Sequence, residues 1–259
     1  MKRLAFLVAT VAALLLSSVM SVNADSPRGN RLVSPVSARA AASTLAKPAV
    51  QNGDSSDRGG TPGILPATGR ARAFYAELQR EWWRWDGAFV VSKGHPGLDP
   101  TGALCGKKQN GPAWWLETGG PDTERTCHVP AGRLIYLPVA MVICSPLIGY
   151  ELPPNKLQAC ASDEFDSYHL ELTVTLDGRV VEDVFSYRTQ TGVFTLKLPE
   201  DNIYAAPGGK GPAAADSVAL VLLAPRPGTH VVSLSALVSG TPASFRYILI
   251  VGDRGQEHD

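Results

Sequence analysis

The sequence predicts a mainly β protein: an antiparallel, jelly-roll-like β-sandwich with one N-terminal amphipathic helix. Three observations predict it. Tyr168, Leu170, Leu172, Val174 and Leu176 alternate with His169, Glu171, Thr173 and Thr175, the pattern of a half-buried strand. Asp177-Gly178 follows, a pair that accepts the left-handed backbone of a tight hairpin. From residue 133 onward, short apolar runs are punctuated by Gly and Pro, and no helix is expected between them. Such runs pair antiparallel and bury their faces by stacking in two layers.

The elements follow in chain order. Residues 1–24 read as a signal peptide: Lys2 and Arg3 precede a run that is almost wholly apolar from Leu4 to Leu16, and Val22-Asn23-Ala24 offers small residues to a peptidase. The run is shorter than the roughly 20 residues a membrane span needs. Residues 25–67, rich in Ser, Ala, Gly, Pro and Arg, read as a flexible leader, with a pro-segment as the other reading. The folded domain is expected over 68–254, with 255–259 as a tail. Phe74, Leu78, Trp82 and Trp85 fall with Tyr75 on one stripe at about 100° per residue, so a helix is expected to end at Gly87. Trp83 lies roughly opposite that stripe's leading edge. The Gly- and Pro-rich stretch 87–132 reads as loops with one short strand over 113–117. Further strands are expected over 133–143, 168–176, 180–188, 192–198, 217–223, 229–238 and 245–251. Gly208, Gly209 and Gly211 read as a flexible turn.

Composition sets the class of partner. The chain has 259 residues, with 24 Lys+Arg against 24 Asp+Glu, and this zero balance argues against a nucleic-acid partner. Its 44% hydrophobic content suffices for one sizeable core. Export makes two disulfides the expected state of Cys105, Cys127, Cys144 and Cys160. Of three possible pairings, Cys105–Cys127 and Cys144–Cys160 are favoured because each closes a short, turn-rich loop. The absence of any CxxC pair argues against zinc. No cofactor is called for; calcium, held by Asp and loop carbonyls, is the one metal to consider, although no EF-hand loop occurs. The Gly-x-Ser-x-Gly elbow, HExxH, the phosphate loop and the dinucleotide fingerprint are all absent.

Several segments carry a resemblance. They are Glu81-Trp82-Trp83-Arg84-Trp85, the run from Asp99 to Cys105, the run from Gln109 to Leu116, the run from Arg125 to Gly132 leading into Ile135-Tyr136-Leu137-Pro138, and Pro227-Gly228-Thr229-His230. Together they resemble a family of uncharacterised secreted bacterial proteins, over roughly 75–251. The resemblance implies a signal peptide, a mostly β domain and paired cysteines. It carries no activity and no catalytic residue.

Two sets of side chains could carry function. All five Trp lie between Trp82 and Trp115, and exposed Trp rings stack on sugar faces. Trp82 and Trp85 read as core anchors. Trp83 and the outward ring of Trp114-Trp115, taken as Trp115, are the candidate ligand-binding aromatics, with Gln109 and Asn110 as neighbouring amides. The alternatives are core packing for the rings and a turn for the amides. The second set is Asp86, Glu117, His95 and His128, candidates for acid/base catalysis, since two carboxylates about 5–9 Å apart can act across a sugar. Ordinary turn or surface roles are the simpler reading of each. His230 shares a phase with Val232 and Leu234 and is expected to be satisfied inside. The function expected is a non-catalytic module for glycan or cell-envelope material, secreted or periplasmic, with no membrane span after signal cleavage. The alternatives are an extracellular polysaccharide hydrolase or lyase, and a structural envelope protein with protein partners.

Overall fold

The computed structural model describes residues 63–120 and 122–252. The expected signal peptide, residues 25–62 and the tail lie outside the described residues. Among the described residues no helix is long and apolar enough to cross a membrane.

The protein is mainly β, with two sheets. The first runs β1 (Trp114–Trp115), β3 (Ile135–Cys144), β8 (Gly209–Leu222) and β6 (Arg188–Gln190), and β7 (Phe194–Leu198) also pairs with β8. The second runs β2 (Thr123–Pro130), β10 (Thr241–Gly252), β9 (Gly228–Val238), β4 (Glu171–Leu176) and β5 (Arg179–Val180). Pairing is mostly antiparallel, but β1 joins β3 and β2 joins β10 in parallel. The expectation of purely antiparallel pairing is corrected there. Both parallel strands come from the stretch 87–132, which reaches the sheets by long loops, and a long connection can enter either direction.

Helix α1 (Arg70–Asp86) is the expected one, but its buried stripe is displaced by a residue. Tyr75, Leu78, Gln79, Trp82, Trp83, Trp85 and Asp86 are buried, whereas Phe74 is 36% exposed. The helix lies on β6, β7 and β8, and that broad contact takes in Trp83 as well. Tyr75 fixes its start: the hydroxyl donates to Leu65 O at 2.5 Å and accepts from Val221 N at 3.2 Å. Ile64 bridges Leu222 and is buried, as is Ala67. The last residues of the stretch read as leader therefore pack into the domain, because Ile64 and Leu65 are apolar and find partners on β8.

A second helix, α2 (Pro154–Ser167), stands between β3 and β4, where none was expected. Leu157, Ala161 and Phe165, spaced by four, face inward, and Pro154 suits its first turn. It packs on β8 and β3. The small run Ala213-Ala214-Ala215 on β8 is fully buried, so Gly209 to Leu222 is one strand rather than the expected turn followed by a shorter strand. Arg188, on β6, reaches under this helix. Its guanidinium donates to both oxygens of the fully buried Asp216 at 3.0 and 2.8 Å, and to Asp166 of α2 at 2.6 Å.

Cys105 is bonded to Cys127 and Cys144 to Cys160, as the loop lengths suggested. The first bridge ties a turn to β2 and the second ties the end of β3 to α2. β3 and, from Ala213 onward, β8 are buried on both faces, with the helices on this sheet. β2, β9 and β10 alternate instead, turning Arg125, Cys127, Val129, Val232, Leu234, Phe245, Tyr247 and Leu249 inward.

Candidate functional site

Three of the four candidate catalytic residues meet. Asp86 ends α1, His95 precedes a single 3-10 turn (Pro96–Leu98), and Glu117 follows β1. One ligand-type atom of each lies within 4.8 Å of the others, and all three are buried. Trp82 Nε1 donates to Leu116 O at 2.7 Å, which sets the end of β1 against the helix and brings Glu117 to Asp86.

The shell is polar and closed. Tyr204, from the loop between β7 and β8, donates its hydroxyl to Asp86 Oδ2 at 2.6 Å. Arg125 on β2 donates to Thr118 O at 3.1 Å, Gly97 O at 2.9 Å and Tyr247 Oη at 3.2 Å. Tyr247 in turn donates to Glu117 O at 3.0 Å. Arg125 and Tyr247 belong to one sheet and Glu117 follows a strand of the other, so the cluster joins the two sheets. Gly119 packs so tightly here that a Cβ would lie 2.2 Å from Phe245 Cβ.

Burial decides the protonation pattern. It raises the Asp86 carboxyl, while His95, the Tyr204 hydroxyl and the Glu117 carboxyl act to lower it. Burial raises Glu117 further, and the neighbouring Asp86 adds to the shift; Arg125 opposes it only partly. Of the two carboxyls, Glu117 therefore holds its proton the more firmly, while Asp86 has Tyr204 as a donor. Burial lowers His95, which is therefore neutral. Tyr204 is pushed well above its usual range by burial and by Asp86, and burial lifts Tyr247 to about 12.

The His95 ring is turned the wrong way for a metal ligand. Gly97 N–H donates to Nδ1 at 3.0 Å, so the neutral ring carries its proton on Nε2. That atom is the one facing Asp86 Oδ1, at 3.3 Å. A ligating Nε2 would have to shed this proton, and its other nitrogen would ordinarily be a donor. With two carboxyls and one imidazole, the cluster is also poor in the oxygens calcium takes. Asp99, the next carboxylate along, is spent on its own turn, accepting from Thr101 N, Thr101 Oγ1 and Leu104 N at 2.7–2.9 Å.

His128 does not join the cluster. Its neighbours Cys127 and Val129 point inward, so strand alternation turns His128 outward. The ligand-binding candidates are also placed elsewhere than expected. All five Trp are buried, none more than 8% exposed. Trp83 stands edge-on to Trp82 with ring centroids 4.9 Å apart. Trp115 stands edge-on to Tyr136 and under Gly111, where a Cβ would come within 2.5 Å of its ring. Gln109 uses its amide on backbone: it donates to Cys105 O and Trp115 O at 2.7 and 2.8 Å and accepts from Trp115 N at 2.8 Å. Asn110 is exposed beside it. Arg125, Tyr204 and Tyr247 were not foreseen. An Arg between Glu124 and Thr126 reads as surface, and nothing local in the sequence marks a tyrosine as a partner of Asp86.

An open concavity lies on the outer face of the second sheet. It measures about 430 Å³ and is lined by Asp122, Glu171, Thr173, Ser235, Leu237 and Ser244, among others. Its floor is one row across three strands: Thr173 pairs with Ser235, and Ser235 with Ser244. Ser244 Oγ donates to Asp122 Oδ1 at 2.7 Å.

No family model matches the chain, and no curated protein matches it. Among solved structures, the solution structure of Amebosin is similar at 12% identity and a TM-score of 0.22, over 55% of this chain and 100% of that one. The chain is a disulfide-bonded, mainly β protein of two sheets, with Asp86, His95 and Glu117 buried in its core.

Proposed function

We propose that the protein is an exported, non-catalytic binding module for glycan or cell-envelope material, built as a sandwich of the two sheets. The observation that carries this reading is the contrast between its two polar regions. The Asp86, His95 and Glu117 cluster is walled in, and its two carboxyls lie within 4.8 Å of each other. Carboxyls acting across a glycosidic bond need roughly 5–9 Å between them and room for the sugar. The hydroxyl row Thr173, Ser235 and Ser244, by contrast, lies in an open concavity. Hydroxyls with two flanking carboxylates match the donors and acceptors of a polyhydroxylated ligand. The two disulfides fit an oxidising compartment. In this reading recognition rests on hydroxyls and carboxylates rather than on Trp rings, and needs no cofactor.

The test uses the oxidised mature chain, residues 25–259, with polysaccharides and cell-wall fractions, and scores retention and release of new sugar ends together. Retention without release, lost in Thr173→Arg and Ser235→Arg but kept in Asn110→Ala, is the expected result. Release of sugar ends, or retention indifferent to both Arg variants, overturns it. No retention on any fraction turns attention to protein partners and a structural role.

A further inference from the structure

We propose that Glu117 is a proton-held latch: its buried carboxyl, within 4.8 Å of the Asp86 carboxyl, keeps its proton while the segments 95–99, 117–120 and 199–208 lie closed over this end of the core, and loss of that proton opens them. This device is independent of the groove on the second sheet.

The geometry carries the argument. Each segment is tied to the cluster by its own contact. His95 faces Asp86 at 3.3 Å, and Gly97 O receives Arg125 at 2.9 Å. Thr118 O receives Arg125 at 3.1 Å, and Glu117 O receives Tyr247 at 3.0 Å. Tyr204 holds Asp86 at 2.6 Å, while Asn202 pins the loop behind it by donating to Pro199 O and Ala206 O, both at 2.7 Å. The groups facing Glu117 are Asp86 from α1, His95 from its loop, Arg125 from β2, Tyr204 from the β7–β8 loop and Tyr247 from β10. Lys108, near His95, spends its ammonium on Ala88 O at 2.7 Å. Among these, Arg125 is the one cation facing the pair, and Asp86 already matches its charge. Glu117 Oε1 has no hydrogen-bond partner and no solvent. An ionised Glu117 would thus place two carboxylates within 4.8 Å of each other in the core, with Arg125 as the one facing cation. Two like charges at such a distance do not both persist in a dry site. The escape is outward, toward water, and it takes the three segments with it.

The sign follows from linkage. A carboxyl whose proton is held in the closed state and released in the open one makes opening easier as pH rises. The equilibrium moves tenfold per pH unit for one proton, between the ordinary carboxylate value near 4.5 and the closed-state value. His95 acts in the opposite direction and only below about pH 6.5, where opening would let it take up a proton.

The experiment is amide hydrogen exchange on the oxidised mature protein between pH 6.5 and 9.5, corrected for intrinsic exchange. The Gly97, Leu98 and Tyr204 amides are read against Leu220 in the β3–β8 ladder. Protection at the three amides should fall about tenfold per pH unit while Leu220 keeps its own, and Glu117→Gln should flatten that dependence. A dependence unchanged in Glu117→Gln, or no dependence in the wild type, overturns the proposal. Should Glu117→Gln fail to fold, the carbon-13 shift of the Glu117 carboxyl decides. A neutral carboxyl at pH 7 that titrates together with loss of protection supports the latch; an ionised one at pH 7 overturns it.

Discussion

Both ring nitrogens of His230 face acceptors: Nδ1 lies 2.8 Å from Asp177 Oδ2, and Nε2 lies 2.9 Å from Arg226 O. Only the imidazolium can donate to both at once. Partial burial opposes the charge, but the Asp177 carboxylate and the Arg226 carbonyl outweigh it and hold the imidazole above its usual value. Asp177 also accepts from Val231 N at 2.8 Å, so the pair locks the hairpin turn onto β9. A raised folded-state pKa contributes stability that is full below about pH 6.5 and fades as pH rises through the folded value. Urea midpoints of wild type and His230→Gln should therefore differ more at pH 5.5 than at pH 8.5. Equal differences at the two pH values would refute the assignment.

Arg188 and Asp216 form a second charge pair, with Asp216 fully buried, and here the direction is fixed by what is left behind. Asp216 has no exposure and takes two guanidinium bonds plus Gln190 Nε2 at 3.0 Å. Its carboxylate holds the guanidinium even more firmly protonated than usual, and the guanidinium also lies 4.3 Å from the Phe165 ring centroid. Removing one partner strands the other. Arg188→Ala should lower stability by about 3–5 kcal/mol in denaturant titration, and the double change with Asp216→Ala should lower it by less than the sum of the two single changes.

Legibility in the sequence tracked how local each signal was. The strand 171–176 was readable because Val174 faces inward between outward threonines, and the Asp177-Gly178 turn supplies φ of 51° and 76°. Helix α1 was readable by period, but its exact face was not. Phe74 and Trp83 differ in burial because of where β6, β7 and β8 lie, which no local window contains. Strand β2 was missed because a buried Arg125 breaks the apolar alternation, and it is buried only because Thr118 O, Gly97 O and Tyr247 receive it. Helix α2 was missed although Leu157, Ala161 and Phe165 carry its period. Its Pro153-Pro154 entry reads as a chain break, and three inward positions make a weak period. The site was half legible. Asp86, His95 and Glu117 stood out as chemistry, yet their meeting depends on Trp82 reaching Leu116 O, a contact across 34 residues.

The disulfides offer a direct check on how the ends are held. Cys144–Cys160 closes a separation of 16 residues and staples α2 to β3. Cys144→Ala with Cys160→Ala should cost about 3 kcal/mol by loop entropy and lower the thermal midpoint by several degrees. Limited proteolysis should then cut first within 145–167. A midpoint unchanged by the double substitution would mean that α2 is held by packing and by Arg188 alone.

Tryptophans that serve as core give a different phenotype from tryptophans that serve as ligand platform. Trp83→Ala removes a ring of 3% exposure that packs edge-on against Trp82. The expected cost is about 3–5 kcal/mol, the usual range for deleting a buried aromatic. Retention on envelope fractions, scaled to the folded fraction, should remain as in wild type. A variant that keeps its thermal midpoint but loses retention would return Trp83 to the ligand surface.

Tyr204→Phe isolates one donor of the buried cluster. The substitution keeps the ring and deletes the hydroxyl that donates to Asp86 Oδ2 at 2.6 Å. A hydrogen bond to a charged acceptor is worth about 1.5–3 kcal/mol, so stability at pH 7 should fall by about that amount. The loss should shrink as pH falls, because Asp86 then protonates and no longer needs a charge-stabilising donor. Burial places that protonation above the ordinary carboxylate range, while the Tyr204 bond itself holds it lower, so Tyr204→Phe should shift it upward. Chemical denaturation of wild type and Tyr204→Phe at pH 4.5, 6 and 7.5 reads both effects at once. A destabilisation constant across that range would mean that Asp86 does not change its protonation between pH 4.5 and 7.5.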